Sequence, residues 1–333
     1  HRELTVVGQN FKYDMNVVKK YSINFKTSIE DTMLMSYVLN SGGKHDLGTL
    51  ASKFLDHEVI SYEDVVGKGK DQITFADVDI HKAVTYACED SDLTLLLYGK
   101  LKSKLLKDKR LYDVYTSIEI KLMLIIAEME YLGVSIDNKE LDKQSHNLKK
   151  RIDKIEKQIY SISGREFNIS SPKQIQEIFY DELKLPILKK TPKGQPSTNE
   201  DVMTQLAENH ELPSLILSFR NLLKLKNTYT DKLGAQVSSV SERLHTSYNQ
   251  TITITGRLSS SSPNLQNIPI RTADGKKIRS AFVPRQGFKL FSADYSQIEL
   301  RIMAHLSDDS EMIKSFVDGE DIHSSTARKV FNT

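Results

Sequence analysis

The sequence lacks several features that would set it apart from ordinary globular proteins. It has a single cysteine, Cys88, so no internal disulfide can form, and this usage fits a reducing cytosol. Its longest apolar stretch, around residues 122–129, is far too short to span a bilayer. The first residues, His-Arg-Glu-Leu-Thr, lack the apolar core of a secretory signal peptide. The net charge of only +2 means that any strongly basic surface has to be local.

The length and composition indicate a multidomain globular chain. At 333 residues the chain exceeds one ordinary core, and a prior of roughly 150 residues per domain predicts two or three domains. Hydrophobic residues at 39% and charged residues at 27% exclude wholesale disorder. The first residue is not methionine, so we expect the sequence to begin inside a longer polypeptide.

The first hundred residues have a mixed α/β pattern. An apolar strand is predicted at Leu4–Val7, followed by a helical segment that ends near Lys20. A second helix is predicted over 31–39 and a third over 80–97, with a turn-rich loop at 67–71 between them.

The middle of the chain is predicted to be helical. Apolar residues from 118 to 129 form a helical stripe that ends at Gly133, a plausible C-cap. A longer heptad-like stripe predicts a helix over 140–163, packed antiparallel against a helix over 213–233. The intervening tip contains a helix start at Pro172 and a basic loop at 189–196.

The decapeptide at 292–301, Ser-Ala-Asp-Tyr-Ser-Gln-Ile-Glu-Leu-Arg, is the most informative segment. Residues 288–293 read as a buried strand and residues from Ile298 as a helix, which places Asp294 at their junction. A carboxylate held there would suit a hard cation such as Mg²⁺. The alternative is a turn aspartate beside a capping box formed by Ser296 and Glu299, and these ten residues alone favour it.

A second segment, 255–271, concentrates planar hydrogen-bond donors in a polar loop. The donors are Arg257, Asn264, Gln266, Asn267 and Arg271. The minor groove of DNA presents acceptors at similar places in every base pair, so such donors can test for correct pairing without reading the sequence. The alternative is a serine-rich surface loop.

Taken together, Thr255–Ser260, Asn264–Arg271 and Ser292–Arg301 resemble motifs of the family A DNA-directed DNA polymerases, the family of bacterial DNA polymerase I. The similarity extends over essentially all of the sequence. It implies a nucleotidyltransferase of DNA replication and repair that adds dNTPs to a primer 3′-OH by two-metal phosphoryl transfer. It also implies Mg²⁺ as cofactor, primer-template DNA and dNTPs as partners, no membrane association, and a monomer in the bacterial cytoplasm.

The resemblance also implies a domain organisation. Residues 1–107 would form the C-terminal part of an RNase H-like 3′-5′ exonuclease domain, and 108–138 would start the polymerase domain. Residues 139–234 would form a helical thumb. Residues 235–333 would form the N-terminal part of an antiparallel-sheet palm, with its first catalytic motif.

Individual roles follow from the same resemblance. Asp294 would be a catalytic metal ligand, and Tyr295 would lend its backbone carbonyl to a metal. Glu299 would be the catalytic-site steric gate against a ribose 2′-OH. The incoming dNTP would be bound by Tyr295, Gln297, Glu299 and His323, and DNA by Arg257, Asn264, Gln266, Asn267, Arg271, Lys193 and Lys232.

An exonuclease remnant is implied at Asp14, Tyr86 and Asp90. Tyr86 and Asp90 are four residues apart and share a helix face, where a phenol could orient a water and a carboxylate could bind metal, although this spacing is common. An intact site also needs an Asp-x-Glu pair before Asp14, and the thirteen preceding residues contain none. We therefore expect no editing activity, and a dedicated exonuclease is the weakest hypothesis.

The polymerase site is also incomplete in this sequence. The second metal-binding aspartate and the Arg- and Lys-bearing fingers helix that the family requires are absent, so the 333-residue polypeptide is expected to extend no primer on its own. An alternative hypothesis is that the chain is a non-catalytic DNA-binding remnant of a split or truncated polymerase gene. The polymerase hypothesis and this alternative both predict DNA binding. Unpaired sheet edges in the truncated palm predict poor solubility of the last hundred residues.

Overall fold

The computed structural model describes residues 4–331, and its contacts divide the chain into residues 1–283 and residues 284–333. Most of the described residues are helical. No helix among them is both long and apolar enough to cross a membrane. The strands are β1 (Thr5–Gly8), β2 (Ser28–Asp31), β3 (Ser247–Asn249) and β4 (Ser259–Ser261).

The helices of residues 4–283 fall into an N-terminal and a central set. The first comprises α1 (Phe11–Lys19), α2 (Thr32–Leu39), α3 (Leu47–Leu55), α4 (Tyr62–Val66), α5 (Ile80–Leu105), α6 (Lys109–Val114) and α7 (Ile120–Leu132). The second comprises α8 (Asn138–Ser163), α9 (Pro172–Gln176), α10 (Glu200–Ala207), α11 (Glu211–Leu225), α12 (Asp231–Ala235) and α13 (Ala273–Ser280). Residues 284–331 contain α14 (Ile298–Ser307), α15 (Ser310–Val317) and α16 (Ile322–Phe331).

The N-terminal region, residues 4–107, confirms the predicted α/β pattern. Strands β1 and β2 pair in parallel with α1 as the crossover, from Thr5 opposite Ser28 to Gly8 opposite Asp31. Asp31 ends β2 and caps α2, because its carboxylate accepts a hydrogen bond from the amide of Leu34. Side chains of α2, α3 and α5 form one hydrophobic core, which Tyr115 and Met123 complete.

The helix predicted from the stripe at 118–129 is confirmed as α7, and Gly133 ends it with a φ of 62°. Ile118, the first residue of the stripe, lies before α7 in a π-helical turn at Tyr115–Glu119. Within the stripe Ile126 is buried, whereas Ile118 and Ile125 are more than half exposed, and Met123 outside the stripe is buried.

The long central helix is confirmed. It starts two residues earlier than predicted, because Asp137 caps it through the amide of Glu140. Its buried face packs against α11, as the heptad-like spacing predicted. The core members on these two helices are Leu141, Leu148, Ile152, Ile159, Leu212, Ile216, Phe219, Leu222 and Leu225. In the tip, Ser171 caps α9 with Pro172 in its first turn, as predicted.

Residues 284–331 differ from the sequence analysis in two features, the strand and the capping box expected around Asp294. The strand expected over 288–293 is absent, and these residues are irregular and exposed, with Phe291 at 90% exposure. A strand is stabilised by hydrogen bonds to a neighbouring strand, and no segment of the described chain pairs with this one. The capping box is absent too, because α14 begins after Gln297, whose φ is 54°, without a side-chain cap.

Candidate nucleic-acid interface

The donor-rich loop is built on an antiparallel hairpin. Strands β3 and β4 pair from Ser247 opposite Ser261 to Asn249 opposite Ser259. Beneath them, the buried hydroxyls of Thr246 and Ser260 lie 2.8 Å apart. The Thr246 hydroxyl also donates to the carbonyl of Pro263, and the Ser260 hydroxyl accepts from the amide of Leu265 at 3.1 Å. Two small buried polar residues thus tie the end of the hairpin to the segment that follows it.

The predicted DNA-binding side chains of this loop are all exposed. They are Arg257, Asn264, Gln266, Asn267 and Arg271. The Gln266 side-chain amide donates to the Leu258 carbonyl at 2.9 Å, which joins the Arg257 segment to the amide-rich segment. The Asn264 carboxamide oxygen accepts from the Gln266 backbone amide at 3.0 Å. The loop therefore gathers guanidinium and amide donors on an internally bonded surface.

The two predicted DNA-binding lysines lie elsewhere on residues 4–283. Lys193 is exposed in a tight turn closed by a hydrogen bond from the Thr191 amide to the Gln195 carbonyl at 2.7 Å. Lys232 is exposed on α12, whose neighbouring Asp231 pairs with Lys226 at 2.6 Å. Both ammonium groups are placed to act as solvated point charges.

The predicted metal and nucleotide residues lie in residues 284–331. Asp294 and Tyr295 are exposed in the irregular segment before α14, so the rigid strand end expected for Asp294 is not observed. Glu299 lies in the first turn of α14. The Gln297 side chain donates to Asp321 at 2.9 Å, which joins the start of α14 to the start of α16, where His323 is exposed.

Asp321 was not singled out by the sequence as a site residue. Hydrogen bonds from Gln297 and Ser324 stabilise its carboxylate and lower its pKa to about 2. The only signal available was the residue type, since Asp is a common N-cap residue and Asp321 directly precedes α16 in the structure. It keeps a negative charge beside the predicted nucleotide residues at neutral pH.

The donor types at the predicted metal site fit Mg²⁺. The Asp294 carboxylate and the Tyr295 backbone carbonyl are both oxygen ligands, which Mg²⁺ prefers. Among residues 4–331, however, no group of three or more His, Cys, Asp or Glu side chains is placed to hold a metal ion. The described chain therefore supplies only a partial ligand set.

The predicted exonuclease remnant is split between two helices. On α5, Tyr86 and Asp90 are four residues apart on the same helix, as predicted, and desolvation by burial is the main cause that raises both pKa values. Tyr86 also packs against Phe75 and Tyr62, two aromatic residues that the sequence analysis missed. Asp14 is exposed on α1, and it forms no metal-binding group with Asp90 among the described residues.

Comparison with known proteins agrees with these features. The family model described as DNA polymerase family A matches residues 138–333, well over half of the chain. The chain belongs to DNA polymerase family A. A second family model, described as 3′-5′ exonuclease, matches residues 1–106 of this family A chain.

Several relatives support the assignment. The chain is 49% identical to DNA polymerase I of Pseudomonas aeruginosa over 329 residues, which are 98% of the chain and 36% of that protein. It is 47% identical to DNA polymerase I of Rhizobium leguminosarum, covering 98% of the chain and 32% of that protein. The sequence thus spans about a third of the length of these relatives.

A solved structure resembles the fold over nearly the whole chain. The POL domain of Pol1 from M. smegmatis, in complex with DNA primer-template and dNTP, matches with a TM-score of 0.83 and 34% identity. The match covers 98% of this chain and 54% of the M. smegmatis chain. The similarity therefore includes both family-model regions.

Proposed function

We propose that this chain is the part of a DNA polymerase I-type enzyme that binds primer-template DNA and supplies the first catalytic motif for dNTP addition to a primer 3′-OH. The observation that carries this proposal is the exposed donor loop fixed on the β3–β4 hairpin. Within this scheme, residues 1–107 are the end of an exonuclease-like domain and 108–138 start the polymerase domain. Residues 139–234 are a thumb, and 235–333 are the start of a palm.

The donor loop has the chemistry needed to bind a duplex independently of sequence. Arg257 and Arg271 carry guanidinium groups, and Asn264, Gln266 and Asn267 carry amides. Such donors match the purine N3 and pyrimidine O2 acceptors of the minor groove. Because two buried hydroxyls hold the base of the loop, less conformational entropy is lost when DNA binds.

Lys193 and Lys232 serve a different purpose in this proposal. Both are exposed ammonium groups, which attract phosphates without requiring a particular geometry. Neutralising phosphates releases counterions, so their contribution weakens as salt rises. They would hold the duplex backbone while the loop tests base pairing.

The nucleotide would meet residues at the starts of α14 and α16. Gln297, Glu299 and His323 lie there, and the Gln297–Asp321 hydrogen bond connects the two helices. Glu299 would exclude a ribose 2′-OH, and His323 would contact the triphosphate. Asp294 and the Tyr295 carbonyl would hold Mg²⁺, which when bound neutralises phosphate charge in phosphoryl transfer.

The first experiment measures DNA affinity. The 333-residue chain and its Arg257→Ala and Arg271→Ala variants are titrated against a fluorescent primer-template duplex at several salt concentrations. Because a hydrogen bond to a charged group contributes about 1.5–3 kcal/mol, each variant should lose roughly tenfold or more in affinity. Arg110→Ala is a matched control, since the Arg110 side chain is 94% exposed and lies outside the proposed interface. Equal affinities for all four proteins would contradict the proposal.

The second experiment measures primer extension by the same polypeptide. We expect DNA binding without dNTP incorporation, because the second aspartate and the triphosphate-binding helix are not among these 333 residues. Metal-dependent incorporation by the purified chain would contradict this expectation. A DNA-binding remnant predicts the same result, and a search for a longer product in the source cell separates the two.

A further inference from the structure

Three side chains outside the β3–β4 hairpin form hydrogen bonds with the hairpin or with its donor-rich loop. The Lys12 ammonium on α1 donates to the Tyr248 carbonyl on β3 at 2.6 Å. The Tyr37 hydroxyl on α2 donates to the Thr253 carbonyl at 2.7 Å. Gln250 donates to the Glu119 carboxylate at 2.7 Å. Two of these contacts come from the N-terminal region, more than 200 residues away in sequence.

The Lys12 contact is buried and charge-assisted. Lys12 also forms an ion pair with Glu130 on α7, and both side chains are only 11% exposed. The Glu130 carboxylate accepts the Tyr248 amide at 2.6 Å, so both backbone polar groups of Tyr248 are bound by this ion pair. A pair that is desolvated and fully hydrogen-bonded fixes geometry more strongly than an exposed pair does.

The Tyr37 contact leads directly toward Arg257. Tyr37 is 5% exposed, so its hydroxyl has a fixed direction. Thr253, whose carbonyl it binds, donates through its own hydroxyl to the Arg257 carbonyl. The backbone of Arg257 is therefore connected to α2 through a single residue.

We propose that Lys12 and Tyr37 are positioning residues for DNA binding, and that the exonuclease-like region serves to hold the Arg257 loop in its DNA-binding conformation. This inference rests on the proposed function of that loop. Without these two contacts the loop would gain conformational freedom, and DNA would have to order it on binding. The N-terminal region would thus affect duplex affinity without contacting the duplex at these side chains.

The test uses the 333-residue chain with two substitutions that remove one contact each. Tyr37→Phe removes only a hydroxyl, and Lys12→Met removes the charge while keeping the length of the side chain. From the usual net worth of a hydrogen bond, we expect primer-template affinity to fall roughly threefold for Tyr37→Phe and roughly tenfold for Lys12→Met.

Lys19→Met is the matched control. Lys19 also lies on α1 and also pairs with a glutamate of α7, Glu128, and its ammonium group lies over the ring of Tyr131 on α7 and not against the Tyr248 carbonyl that Lys12 binds. Its loss should change DNA affinity less than about twofold. An equal loss in Lys19→Met and Lys12→Met would overturn the proposal, because the effect would then belong to the α1–α7 contact alone.

A double-mutant cycle separates positioning from general destabilisation. If Lys12 acts through the Arg257 loop, Lys12→Met should have little further effect in an Arg257→Ala background. Additive losses would overturn the proposal. Hydrogen exchange provides a second measure: peptides over 246–260 should exchange faster in Lys12→Met and Tyr37→Phe, while peptides of α8 should not change.

The outcomes also distinguish this inference from the function on which it rests. If Arg257→Ala binds DNA as well as the unmodified chain does, the proposed function itself fails. If Arg257→Ala weakens binding but Lys12→Met and Tyr37→Phe do not, only the positioning role is wrong.

Discussion

Residues 4–283 and residues 284–331 form helices equally well but bury their apolar side chains very differently. The first region contains two hydrophobic cores. In the second, only Ala304 and Ile322 are buried among the hydrophobic side chains that the structure describes, and Leu306 and Val317 are at least 75% exposed. Helices satisfy their backbone hydrogen bonds internally, so their hydrogen-bond pattern needs no neighbouring segment, whereas a core requires tertiary packing.

A difference between the same two regions also explains why one predicted strand forms and the other does not. Strands β1 and β2 form because each supplies the partner that the other needs, with α1 long enough to reverse the chain. The segment 288–293 is as apolar as β1, yet it has no partner within the described chain. Sequence pattern alone therefore identifies a segment that can become a strand but not whether its partner is present.

The largest expected effect comes from removing a core side chain. Ile159→Ala on α8 removes a fully buried side chain and should lower the free energy of unfolding by about 2–5 kcal/mol. Ile302→Ala on α14, where the side chain is 50% exposed, should cost less than about 1 kcal/mol. Urea unfolding followed by circular dichroism measures both, and equal costs would show that the second region has a core of its own.

Two aspartates should respond to pH in opposite directions. Burial raises the pKa of Asp31 to about 6, above its ordinary 3.8. Its contribution to stability is therefore fully present below about pH 4 and is lost as the pH rises through about 6. The loss should reach about 3 kcal/mol. The pKa of exposed Asp321 is lowered to about 2, so its contribution is present above its ordinary pKa and is lost as the pH falls through about 2.

These pH effects can be measured as differences between each variant and the unmodified chain. Asp31→Asn should gain stability relative to the unmodified chain between pH 4 and pH 7, in urea titrations at each pH. Asp321→Asn should show no such trend in this window. A flat difference for Asp31→Asn would mean that its carboxyl has an ordinary pKa in the folded protein.

A buried phenol should matter more than an exposed one. The Tyr115 hydroxyl donates to Glu30 at 2.7 Å and accepts from the Asp31 amide at 2.9 Å, and the residue is fully buried. Tyr115→Phe leaves the buried Asp31 amide and the partly buried Glu30 carboxylate without this partner and should cost about 1–3 kcal/mol in thermal or urea unfolding. Tyr295→Phe, at 81% exposure, should leave stability unchanged within error.

Helix caps should have the smallest effect and should behave alike in both regions. Asp137 caps α8 through the Glu140 amide at 3.0 Å, and Asp309 caps α15 through the Met312 amide at 2.9 Å. Asp137→Ala should cost about 1 kcal/mol in unfolding free energy. Asp309→Ala should reduce helicity near 222 nm without moving the main unfolding transition. A shift of that transition would show that the two regions unfold as one cooperative unit.

Structural features that depend on the spacing of nearby residues could be predicted from the sequence. The stripe of α8, the helix start at Pro172 and the helix end at Gly133 each depend on residues within a few positions of one another. Within the stripe at 118–129, Ile126 is buried but Ile118 and Ile125 are exposed, because the neighbours that cover a helix face come from distant parts of the chain and local spacing does not specify them.

The residue types of the candidate site could be predicted from the sequence, but the side chains that contact its loop from other elements could not. The exposed donors from Arg257 to Arg271 were identified from their chemistry. Their support by Lys12 and Tyr37 depends on contacts across more than 200 residues, which one sequence does not contain. The roles of Asp294, Glu299 and His323 are predictions from the same motifs.

The backbone conformation of Gly133 restricts which residues can occupy position 133. Its φ of 62° is unfavourable for other residues, and a Cβ atom there would lie 2.7 Å from the Leu244 carbonyl oxygen and 2.9 Å from the His245 ring. Val134 and Leu244 exchange backbone hydrogen bonds at that point, on the approach to the hairpin. If codon 133 were randomised and the clones selected for folding, we expect the survivors to carry glycine, whatever chemistry the neighbouring codons tolerate.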